Sequence, residues 1–125
     1  MRKSVLAVVL VAAICGAMSV RAQDGAAPFD ADLQRLAEIL GTLHYLRDIC
    51  AANDGAKWRS EMQALIDAET PSGERRSRMI AAFNRGYNWF QQTYRVCTPA
   101  ANVAIRRYVE EGAKISRDLT ARYAN

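Results

Sequence analysis

Residues 30–50, DADLQRLAEILGTLHYLRDIC, decide how the rest of the chain is read. Leu33, Leu36, Leu40, Leu43, Arg47 and Cys50 recur at steps of three and four, the spacing of one face of an α-helix. The pattern predicts a helix with Asp30 as N-cap that runs to about Ala52, where ANDG (52–55) supplies turn chemistry. The same stretch holds the chain's only histidine, His44, beside an arginine and a cysteine. It therefore raises the question of whether it is a reactive site or the fixed end of a helix.

Working outward, the next apolar face is Trp58, Met62, Leu65 and Ile66, which predicts a second helix from about Ala56 to Glu69. Thr70-Pro71 should end it and start the third, because proline suits a first helical turn and disfavours helix in the residue before it. The third helix is expected to reach about Cys97, with a seam of Met79, Phe83, Tyr87, Phe90, Tyr94 and Cys97. Thr98-Pro99 repeats the stop-and-cap device. A fourth helix then carries Ala101, Ile105, Tyr108, Gly112, Ile115, Leu119 and Tyr123 on one face. No segment sustains strand alternation, so the fold class is all-α: a small up-down bundle of about four helices. Up-down order puts the C-terminal ends of the first and third helices together, where a Cys50–Cys97 disulfide closes without distortion.

The chain opens with Arg2 and Lys3 ahead of an apolar run from about Val5 to Met18 and a small-x-small site at Val20-Arg21-Ala22, the pattern of a secretory signal peptide. Cleavage is expected after Ala22. A lipoprotein reading would use Cys15, but Ile14 is bulky where that peptidase takes Gly, Ala or Ser. The expected organisation is signal peptide 1–22, flexible leader 23–29 and a single helical domain over 30–125, with no stable transmembrane span after cleavage. Export leaves Cys50 and Cys97 as an even pair, for which a disulfide is the default.

Removing the signal also removes Arg2, Lys3 and Arg21, so the formal charge falls from +4 to +1. The sequence pI near 9.2 describes the precursor and is no argument for nucleic-acid binding. Twelve of the fourteen remaining basic residues are arginine, a bias that a GC-rich genome explains as simply as anion recognition.

Four groups of residues are candidates for chemistry. His44 and Arg47 lie on the apolar side of the first helix, and an inward arginine needs a partner. Glu61 and Tyr94 are placed at the same height, so the four form a candidate buried polar network. Glu69 and Arg76 are a candidate structural ion pair across the corner between the second and third helices. Arg75, Arg78 and Arg85 form a candidate anion patch, and Trp89, off the main seam, a candidate interface anchor. Gly86, costly in a helix interior, points to close approach by a neighbour. No phosphate loop, metal-ligand cluster, nucleophile elbow or CxxC pair is present, so no catalytic residue, metal or cofactor is assigned. Glu61 and Glu69 as a glycan-cleaving pair would stand about two turns apart, roughly 12 Å, wide for a retaining mechanism.

The stretches LGTLHYLRDIC, WRSEMQALIDAE, RR, AFNRGYNWFQQTYRVCT and the Ala-rich start of the fourth helix resemble a family of small exported conserved hypothetical proteins of alphaproteobacteria, over approximately residues 39–110. The resemblance implies an exported location and a small helical domain, and it carries over no ligand or catalytic residue. The expectation is a periplasmic, non-catalytic interaction or envelope-maintenance module whose partner is another envelope protein or a peptidoglycan or lipid component. The first alternative is a binder of an anionic envelope component through the Arg patch, and the second an envelope-acting enzyme.

Overall fold

The structure, a computed structural model, describes residues 27–50, 53–69 and 73–123. The expected signal peptide, the start of the leader, the last residues of the first helix at Ala51 and Ala52 and the Thr70-Pro71 corner lie outside them. Four helices make up the domain: α1 (Asp30–Ile49), α2 (Gly55–Glu69), α3 (Gly73–Thr93) and α4 (Pro99–Tyr123). The described residues contain no strand.

The period-3.6 pattern of α1 understates what it does. Leu33, Ala37, Ile39, Leu40, Gly41, Thr42, Leu43, Tyr45 and Leu46 are all buried, so apolar or small residues occupy most of its circumference. A helix covered all round belongs at the centre of an assembly. One side of α1, through Leu33, Ala37 and Leu40, packs with Met62 and Ile66 of α2 and Met79 and Ala82 of α3. Another side, through Ile39, Leu43 and Leu46, packs with Ala101 and Ile105 of α4. Burying one such side chain contributes about 1.5–3 kcal/mol.

The other three helices are placed around this axis by identifiable contacts. Arg75 meets Asp30 at one end of α3 and Cys97 meets Cys50 beyond the other, so α3 runs parallel to α1. Gly55 sits against Asp48 and Glu111 against Arg35, so α2 and α4 run antiparallel to it. The order is up, down, up, down. The α4 backbone packs on α1 and approaches neither α2 nor α3. An edge-to-face pair, Phe90 and Tyr108 with centroids 5.4 Å apart, links α3 to α4.

The α1–α3 crossing is built on two glycines. A Cβ at Gly41 would overlap the Phe83 carbonyl, and a Cβ at Gly86 would overlap the Glu38 carbonyl. Gly86 is thus the point of close approach that its helix-interior position implied. The third helix stops at Thr93, short of the expected Cys97. The carbonyl of Tyr94, which continued helix would offer to a downstream N–H, instead accepts a hydrogen bond from the Tyr45 hydroxyl. Residues 94–98 form an irregular connector, and Thr98 caps α4 by accepting from the Ala101 N–H at 3.0 Å. Pro99 follows as the first helical residue.

Cys97 therefore lies on the connector rather than on the third helix. The disulfide still forms, with Cα atoms 4.8 Å apart and the half-cystines 47 residues apart in sequence. In the chain-entropy account a loop of that length contributes about 4 kcal/mol. At the other end, Asp30 is the first helical residue and Phe29 the N-cap. The Asp30 carboxylate serves a different purpose, accepting from the Ala27 N–H at 2.9 Å and from Arg75. Ala27 to Phe29 are consequently turned onto the domain, with Phe29 packed against the core, rather than part of a flexible leader.

Candidate functional site

The C-terminal turns of α1 form a clamp on the turn into α2. His44 Nδ1 lies 2.8 Å from the Gly55 carbonyl oxygen, which can only accept, so Nδ1 carries the proton. Arg47 donates from Nε and Nη2 to the two carboxylate oxygens of Asp54 at 2.8 and 2.6 Å. The Asp48 carboxylate accepts from the Gly55 N–H at 3.1 Å, and a Cβ at Gly55 would collide with it. Asn53 takes the left-handed conformation at φ 52°, which asparagine tolerates. Electrostatics follow the geometry: the Arg47 guanidinium holds the Asp54 carboxyl below the usual carboxylate range, and Asp54 raises Arg47 in turn.

The expected network of His44, Arg47, Glu61 and Tyr94 is not assembled. Arg47 is satisfied from the turn immediately after its own helix, a shorter reach than Glu61 on α2. Glu61 is exposed. Tyr94 stacks on Phe90 at 6.0 Å and offers its carbonyl to Tyr45. Asp48, Asp54 and Gly55 are the partners that sequence reasoning missed. Their signal was the NDG turn lying seven residues beyond Arg47 and Asp48.

The expected anion patch is also dispersed. Arg75 donates from Nη2 to Asp30 at 2.6 Å and from Nη1 to the Glu69 carbonyl at 3.3 Å, with its guanidinium over the Phe29 ring. Arg78 pairs with Glu74 and Arg85 with Glu38, each at 3.3 Å. All three are neutralised by carboxylates along the length of α3. Trp89 stands apart from them, 66% exposed. Of the expected pair across the corner, Glu69 lines the groove between α2 and α4 and Arg76 the groove between α2 and α3.

What the fold does create is a channel. Because α4 packs on α1 without reaching α2, a strip of α1 is left as a floor between two walls. One section, about 460 Å³, is floored by Leu36, Ile39, Leu40 and Leu43 and walled by Trp58, Ala64 and Leu65 of α2 and Tyr108, Val109 and Ala113 of α4. An adjoining section, about 310 Å³, shares Leu36, Leu65 and Ser116 and adds Phe29, Leu33 and Leu119. Small residues keep it open: Ala64 on α2, and Gly112, Ala113 and Ser116 on α4. From Phe29 to Leu43 the floor spans about 20 Å of helix. Lys57, Glu61 and Glu69 are the charged groups along it. Trp58 Nε1 is buried without a hydrogen-bond partner among the described residues.

Among the described residues no cluster of histidine, cysteine and acidic side chains could hold a metal ion, and no helix is long and apolar enough to cross a membrane. No curated protein and no solved structure matches the chain. One family model does, over residues 28–123, a span that begins just before α1 and ends with α4. The chain belongs to this family, described as Protein of unknown function (DUF2385).

Proposed function

We propose that the protein is an exported, periplasmic, non-catalytic interaction module, and that its channel between α2 and α4 receives an elongated apolar segment of a partner envelope protein. The observation that carries this reading is the apolar channel itself, whose floor runs along about 20 Å of α1 between an α2 wall and an α4 wall on which Ala64, Gly112, Ala113 and Ser116 leave room. Grooves of this kind take the apolar face of a helix or a run of apolar side chains. The Cys50–Cys97 disulfide supports an oxidising compartment, and with it the export that the opening residues and the likeness to exported alphaproteobacterial proteins imply. The carboxylates on the channel, Glu61 and Glu69, stand eight residues apart on α2, about 12 Å along its axis. That separation supports a rim role rather than an acid–base pair.

The test uses a neutral apolar fluorophore, N-phenyl-1-naphthylamine, titrated into the purified protein. Saturable binding is expected, lost in Ala113→Trp, which fills the channel from an exposed wall position. Binding that survives Ala113→Trp with the helical content unchanged would overturn the channel as the site.

A further inference from the structure

A second groove, between α2 and α3, has a different chemistry. It measures about 460 Å³, within the range of small-ligand sites. Its floor is apolar and aromatic: Phe83 and Tyr87 lie against the His44 ring, with centroids 5.8 and 5.3 Å away. Its polar lining is basic or neutral, with Arg59, Arg76, His44, Gln63 and Asn84 and no carboxylate. The Gln63 amide donates to Asp67 of α2 at 2.8 Å.

Two details make this more than a charged surface. Arg35, Arg47, Arg75, Arg78 and Arg85 each have a carboxylate within ion-pair distance. Arg59 has neither an ion pair nor a hydrogen bond to any described residue, a state it shares with Arg95 and Arg106, but of these three Arg59 is the one that lines the groove. His44, meanwhile, is oriented from behind: its Nδ1–H is fixed on the Gly55 carbonyl, and no described residue hydrogen-bonds its Nε2. A ring held this way presents Nε2 as a positioned polar atom.

We infer that the α2–α3 groove is a binding site for an oxyanion, carboxylate or phosphate, carried on a small apolar or aromatic body. Arg59 supplies the fork for the anion and His44 a polar contact beside it, while Phe83, Tyr87, Met62 and Ile80 receive the body. The site is separate from the α2–α4 channel, and it stands or falls independently of the function proposed for that channel.

The experiment is a titration of the purified protein with benzoate, phenylphosphate, inorganic phosphate and neutral benzyl alcohol, followed by NMR of the His44 and Tyr87 rings. Benzoate or phenylphosphate should saturate and shift both rings, with inorganic phosphate and benzyl alcohol each binding at least about tenfold more weakly. Arg59→Ala should weaken the aryl anion about tenfold, and Arg106→Ala, on α4, should leave it unchanged. Co-sedimentation with phosphatidylglycerol vesicles that Arg59→Ala abolishes would assign the anion to a lipid headgroup. Binding of the soluble anions alone would assign it to a free ligand. Failure of both aryl anions to saturate, binding untouched by Arg59→Ala, or benzyl alcohol binding as well as benzoate would each overturn the inference.

Discussion

Gly86→Ala offers a test in which two physical effects of opposite sign compete at one atom. Gly86 is in the interior of α3, where alanine is the better helix former by about 1 kcal/mol. If the position had no tertiary role, the substitution would stabilise the protein. The added Cβ, however, would overlap the Glu38 carbonyl oxygen of α1 and come within 2.8 Å of Thr42 Oγ1 and 3.0 Å of the Glu38 carbonyl carbon. The obstruction is backbone, so no rotamer change relieves it, and the two helices must part by on the order of 1 Å. The buried contacts of Met79 and Ala82 with Leu33, Ala37 and Leu40 loosen with them. Overpacking of this kind costs about 1–3 kcal/mol, and a backbone clash sits at the upper end, so we expect a net loss of roughly 2 kcal/mol. Urea denaturation followed by far-ultraviolet circular dichroism should show the midpoint lowered by about 1–2 M. A midpoint that rises would refute the close crossing of α1 and α3, and with it the central position of α1.

Further expectations follow from the staple, the ion pairs and the exposed surface. Replacing both half-cystines with serine should lower unfolding free energy by about 4 kcal/mol, and alkylation of the untreated protein before mass measurement should find neither Cys50 nor Cys97 reactive. The Arg75 guanidinium holds the Asp30 carboxyl below its usual value of 3.8, against the opposing effect of burial. Its contribution is thus present above about pH 4 and lost as the pH falls through the lower folded value, so Arg75→Gln should flatten the acid limb of a stability–pH profile. Tyr45→Phe removes the hydroxyl donor to the Tyr94 carbonyl and should cost about 1 kcal/mol in the same urea assay. Trp89→Ala, at an exposed position, should change stability by less than about 0.5 kcal/mol and leave naphthylamine binding intact.

The helices were legible because each carries a periodic apolar face and ends at turn or capping residues. Met62, Ile66, Met79, Ala101 and Ile105 are buried as their spacing requires. The cysteine pair was legible from parity and topology, although Cys97 reaches its partner from the connector. Less legible was the rank of α1. Its Leu33, Ala37, Ile39, Leu43 and Leu46 wrap around the helix, yet a search for one face selects only a stripe of them. The polar partners were misread for a related reason. Heights along a bundle suggested Glu61 for Arg47, whereas a reversing turn brings Asp54 closer than any neighbouring helix can. Arg75 and Arg85 looked like parts of an anion patch because their acids, Asp30 and Glu38, lie 45 and 47 residues away in sequence. Neither groove was visible in advance, since each depends on how far apart neighbouring helices stand: α4 does not reach α2, and α2 meets α3 only sparsely.

The channel claim is tested most directly in living cells with a photo-crosslinking benzoylphenylalanine placed at Ala64 or Ala113, on its two walls, and at Ala100, exposed at the start of α4. Illumination should give one discrete adduct to the same envelope protein from both wall positions and none from Ala100. No adduct from either wall, or an equal yield from Ala100, would contradict the proposal that this protein works by receiving a partner between α2 and α4.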